Sequence, residues 1–146
     1  MAKKPFVLLS TLLGILLFEM TGKALADPYA LLEQAENYQR QRQYALAEEI
    51  YQQIVTDYPD SDHAFQAQKN FVILYAAWNK QPQAETAFQQ LLTSFSGHSG
   101  IAQAVHDIAY QYRLLRKYEK ANQLDQSVID NWPQSDYAVL AQMDLA

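Results

Sequence analysis

The chain contains no cysteine and only four glycines among its 146 residues. Without thiols there can be no disulfide framework, no thiolate metal site, no cysteine nucleophile and no cysteine to carry a lipid. So few glycines leave no glycine-rich phosphate loop. No segment shows the strict polar–apolar alternation of a half-buried strand. Cations are also scarce, with 11 Lys and Arg against 16 Asp and Glu and a net charge of −5. That balance argues against nucleic acid or an anionic membrane surface as a partner, since both reward clustered positive charge. The three histidines, His63, His98 and His106, are not spaced i, i+4, so no metal site and no cofactor are expected. Ser61, Asp62 and His63 include the residue types of a hydrolase triad, but adjacency in sequence is not triad geometry. No acid, base and nucleophile can be assembled from the pattern, so catalytic residues are expected to be absent and the chain is not read as an enzyme.

The first residues read as a secretion leader. Lys3 and Lys4 precede a mostly apolar run, Phe6–Phe18, of 13 residues, whereas a membrane-crossing helix needs about 20. Ala24 and Ala26 then supply a small-x-small cleavage pattern. Residues 1–26 are therefore expected to be a cleaved signal peptide. The remaining chain is expected to be periplasmic, with no stable insertion in the membrane. Lys3, Lys4 and Lys23 against Glu19 take two positive charges with the leader, so the −5 of the whole chain becomes −7.

What the sequence has in place of these features is a repeat. Ala30, Ala67, Ala104 and Ala141 stand 37 residues apart. Tyr38, Tyr75 and Tyr112 keep that interval, as do Ala47, Ala84 and Ala121, and the aromatics Tyr58, Phe95 and Trp132. Tyr58-Pro59-Asp60-Ser61-Asp62 returns as Trp132-Pro133-Gln134-Ser135-Asp136. Within a unit, Leu31, Gln34, Ala35 and Tyr38 recur at helical steps, and Leu46, Ala47, Ile50, Tyr51, Ile54 and Val55 mark a second helical stripe. The polar triplet Gln41-Arg42-Gln43 separates them, and Pro82 opens the equivalent second helix of the next unit. Asp62, Ser99 and Asp136 are expected to cap the helices that begin each later unit. The pattern predicts about seven helices: three hairpins over about residues 28–62, 63–99 and 100–136, then a partial unit at 137–146. A single hairpin cannot hide its apolar stripe, so the units are expected to stack as an all-α, right-handed superhelical solenoid. Tyr38, Tyr75 and Tyr112, recurring once per unit, are read as core packing.

The order small, aromatic, small, aromatic, aliphatic, proline in Ala35, Tyr38, Ala47, Tyr51, Ile54 and Pro59 resembles the tetratricopeptide repeat (TPR). Val72, Tyr75, Ala84, Phe88 and Leu91 follow it in the second unit, and Ala109, Tyr112, Ala121, Val128 and Pro133 in the third, where Asp125 stands in the place of the aromatic. The 37-residue period and the aromatic-Pro-x-Ser ending are similar to repeats of bacterial envelope proteins, of the kind associated with the Tol–Pal system and with outer-membrane barrel assembly. The resemblance implies a protein-binding adaptor whose first helices line a concave groove for an envelope protein or peptide. By position that groove would hold Tyr29, Leu32, Glu36, Gln39 and Arg40 from the first unit. The second would add Gln66, Lys69, Ile73, Ala76 and Ala77, and the third Gln103, His106, Tyr110, Arg113 and Leu114. Lys69 and Arg113 could hold a carboxylate there.

The chain's last helix is apolar nearly all round, with Val139, Leu140, Met143 and Leu145 too widely spread for one stripe. Either this surface associates, making the chain a homo-oligomer and a structural solenoid, or it is the frayed end of an incomplete repeat.

Overall fold

The structure is a computed structural model describing residues 25–146. The expectations placed on residues 1–24, including the apolar run of the leader and Ala24, lie outside the described residues. Those residues form seven helices and no strand: α1 Pro28–Arg40, α2 Tyr44–Asp57, α3 Asp62–Ala77, α4 Gln81–Ser94, α5 Ile101–Leu114, α6 Tyr118–Asn131 and α7 Asp136–Leu145. None is long and apolar enough to cross a membrane.

The hairpin turns are built by the backbone. Arg42, Asn79 and Arg116, each 37 residues from the next, adopt left-handed φ values of 60°, 63° and 59°. This lets the chain close each first helix with the same pair of bonds. The N–H of Arg42 donates to the Gln39 carbonyl (3.0 Å) and that of Gln43 to the Tyr38 carbonyl (2.9 Å). Asn79 and Lys80 repeat the pattern on Ala76 and Tyr75, and Arg116 and Lys117 on Arg113 and Tyr112. Carbonyls left over at the helix end are thereby satisfied, in the Schellman arrangement that most often uses glycine. The recurrent tyrosines thus hold a position at which the backbone carbonyl ends the helix while the ring packs on the core.

The caps between hairpins differ from expectation by one residue. Ser61, not Asp62, caps α3: its hydroxyl accepts from the Ala64 N–H (3.1 Å) and donates to the Tyr58 carbonyl (2.8 Å). Ser135, not Asp136, does the same for α7 through Ala138 and Trp132. Asp62 and Asp136 move into the first turn, where their charge faces the positive end of the helix dipole. Before α5 the cap is Gly100, not Ser99. There the His98 ring stacks on Phe65, with centroids 3.7 Å apart, and its Nδ1 accepts from the Gly100 N–H (3.0 Å).

Packing follows the repeat. Helices pack on their chain neighbours, except that α4 and α5 make little or no contact across the Phe95–Gly100 connection, and the first helices of successive units, α1, α3, α5 and α7, also pack on one another. Ala47, Ala84 and Ala121 are fully buried, which allows neighbouring backbones to approach. Four residues on, Tyr51 and Phe88 fill the interior, and Tyr51 meets Phe71 edge-to-face at 5.6 Å. The product is an all-α solenoid of three hairpins and a closing helix.

Candidate partner-binding groove

Because α1, α3 and α5 lie side by side, their outward faces form one continuous surface. Near the hairpin turns it deepens into a cleft of about 320 Å³. Glu36, Gln39 and Arg40 of α1 form one wall, with Tyr44 and Tyr51 of α2 behind them. Asn70, Ile73 and Ala77 of α3 supply the floor, and Gln111, Leu114 and Leu115 the far wall.

The polar groups on its walls are held in place. The Asn70 amide donates to Glu36 (3.1 Å), and the Tyr51 hydroxyl donates to the Gln39 side-chain oxygen (2.8 Å). Burial, followed by the charge of Glu36, pushes the Tyr51 hydroxyl above its ordinary pKa, so it remains a donor at any physiological pH. Arg40 is exposed and takes part in none of the ion pairs among the described residues. Leu114 is 59% exposed and Leu115 37%. An apolar pit edged by fixed hydrogen-bonding groups and one free guanidinium suits an apolar side chain of a partner, with a carboxylate or backbone carbonyl nearby.

Of the residues assigned to the groove from sequence, Glu36, Gln39, Arg40, Ile73, Ala77 and Leu114 meet in this cleft. Gln66, Lys69 and Gln103 line a separate hollow of about 170 Å³ beside His98 and Gly100. Tyr29 and Tyr110 are exposed rings away from both hollows, and Leu32 packs against the core. The two basic groups expected to hold a partner's carboxylate hold carboxylates of the chain itself. Lys69 pairs with Asp107 of the next hairpin (3.4 Å). Arg113 donates to Asp125 and, at 3.1 Å, to Asp144, whose carboxylate also meets His106 Nε2 at 3.2 Å. Tyr44, Asn70, Gln111 and Leu115 were not assigned to the groove. Tyr44 and Leu115 come from the hairpin turns, which register along the first helices does not reach, whereas Asn70 and Gln111 lie on those helices, each next in sequence to an assigned residue, Lys69 and Tyr110.

Another hollow, of about 330 Å³, lies between the second helices α2 and α4, with Gln52, Gln90 and Tyr75 at its sides. It opens because Ala87 stands where the other units carry Ile50 and Leu124. It carries no charged group and lies outside the groove.

Residues 29–61, from α1 to the cap of α3, match the tetratricopeptide repeat family model. No curated protein matches the chain. The first hairpin is therefore a tetratricopeptide repeat, and two further hairpins with the same period, turn and packing follow it. The match spans one repeat; stacks of such hairpins typically serve as non-catalytic protein–protein interaction modules.

Proposed function

We propose that the chain is an exported, periplasmic adaptor that seats a segment of a cell-envelope protein in the cleft between α1, α3 and α5. The observation that carries this reading is the cleft itself. Exposed Leu114 and Leu115 face Ile73 and Ala77, while Glu36 and Gln39 are fixed by Asn70 and Tyr51 and Arg40 is left free. Groups already held in place give up little conformational entropy when a partner arrives. The leader at residues 1–26 and the envelope-like repeat ending support the location.

The test is site-specific photocrosslinking in intact cells, with the reactive residue placed at Gln111 or Leu114, and at Gln83 between α2 and α4 as control. One envelope protein captured from both groove positions, absent from the control and lost on Arg40→Glu, supports the reading. Capture that is equal at Gln83, or unaffected by Arg40→Glu, sinks it.

Self-association through α7 is a second reading. Val139 is 57% exposed, although one and two repeats earlier the same register holds Ala102 and Phe65, 6% and 3% exposed. Leu140 and Met143 are exposed beside it, and Leu145 is half-buried. Light-scattering mass that rises with concentration, and stops rising on Val139→Lys with Met143→Lys, supports this alternative. A constant monomer mass excludes it.

A further inference from the structure

The third hairpin breaks the core pattern at one position. Tyr51 and Phe88 fill the interior of their units, but one period later the residue is Asp125, fully buried. Its Oδ2 accepts from Arg113, while Oδ1 is buried with no hydrogen-bond partner. Buried polar atoms are nearly always satisfied, so an orphaned carboxylate oxygen calls for a missing partner.

Two further donors converge on it from other helices. A ring nitrogen of His106 on α5 and one carboxylate oxygen each from Asp125 on α6 and Asp144 on α7 all lie within 4.8 Å of one another. We propose that His106, Asp125 and Asp144 form a site for one divalent transition-metal ion, and that the ion fastens α7 to the third hairpin.

The chemistry of the donors fits. One imidazole nitrogen and two carboxylates, with the fourth position left to water, is a ligand set that suits zinc and its neighbours. Around such an ion, with bonds near 2.1 Å, ligand atoms sit about 3.4 Å apart, so the donors must draw together by roughly 1 Å. Asp144 can supply that movement, because it lies in the last turn of α7, whose close packing among the described residues is on α5 and α6.

Arg113 is the obvious competitor. It reaches both carboxylates through their Oδ2 atoms, which leaves Oδ1 of Asp125 for an ion. With Arg113 in place, two carboxylates against one guanidinium still leave one uncompensated negative charge. The Asp125 carboxylate is fully buried, with one guanidinium to compensate its charge and that of Asp144. No two of the three residues share a helix, so the convergence is invisible to any spacing rule.

The experiment uses untagged protein stripped with EDTA and titrated with Zn²⁺ in a calorimeter, with Co²⁺ absorption reporting coordination and circular dichroism reporting helicity. One equivalent should bind at micromolar metal and raise Tm. His106→Gln and Asp144→Asn, each with normal helicity, should weaken binding by about tenfold or more. His98→Gln, which removes the histidine paired with Asp62 at another junction, should leave it unchanged. No binding, binding that survives both substitutions, or binding lost equally on His98→Gln overturns the proposal.

Discussion

Replacing Arg42 and Arg116 by glycine should make the protein more stable, although it removes two large side chains and adds no contact. Both residues sit at left-handed φ, near +60°, in the turn of their hairpin. A side chain with a Cβ is disfavoured there by about 1–2 kcal/mol, because Cβ crowds the following carbonyl. Glycine escapes that cost but gains freedom in the unfolded chain, which returns about 0.4–1 kcal/mol. The net gain is about 0.5–1 kcal/mol per site. The sites lie in different hairpins with no shared partners, so together they should give about 1–2 kcal/mol. Urea unfolding followed by circular dichroism measures it. At a slope of about 1.5 kcal/mol per M, the double variant should move the midpoint up by roughly 0.7–1.3 M without changing the slope. Asn79→Gly should gain less, since asparagine tolerates the left-handed region better than arginine. Arg42→Ala is the control, because alanine keeps Cβ and should leave stability unchanged. A midpoint that falls for Arg42→Gly, or an equal gain for Arg42→Ala, would refute the reasoning.

Two further perturbations test other parts of the structure. Arg113→Met, measured in EDTA, leaves the Asp125 carboxylate buried without its cation and should cost about 3–5 kcal/mol, with much of the loss recovered when Asp125→Leu is added; the urea midpoints of the single and double variants decide it. Ser61→Ala and Ser135→Ala should each cost about 1 kcal/mol, whereas Asp62→Ala and Asp136→Ala should cost less, which ranks the caps by thermal unfolding.

The stack of hairpins was legible because its cause is periodic. Every unit must bury the same stripe, so Ala47, Ala84 and Ala121 recur, and so do Tyr38, Tyr75 and Tyr112. The left-handed turn residues were not legible, since the usual marker is glycine and here the positions carry arginine and asparagine. The caps slipped by one residue because Ser61 and Asp62 are both good cappers, and only the backbone decides which oxygen faces the open N–H groups. Asp125 was visible as a departure from the repeat. What answers it was not, because Arg113, His106 and Asp144 come from neighbouring helices. The groove was half legible for the same reason: register placed Glu36, Gln39 and Ile73, while Tyr44 and Leu115 enter from the turns.

The line of helices carries one more consequence. Among the described residues each unit packs on the units beside it, and no helix of the first hairpin packs closely on one of the last. Length is therefore a free variable in this architecture: a 37-residue unit can be gained or lost at an end, and those that remain keep every neighbour except one. The same property grades the molecule from middle to ends. A protease acting on the folded protein should trim it in steps of one hairpin, so that the fragments differ by a constant increment of mass.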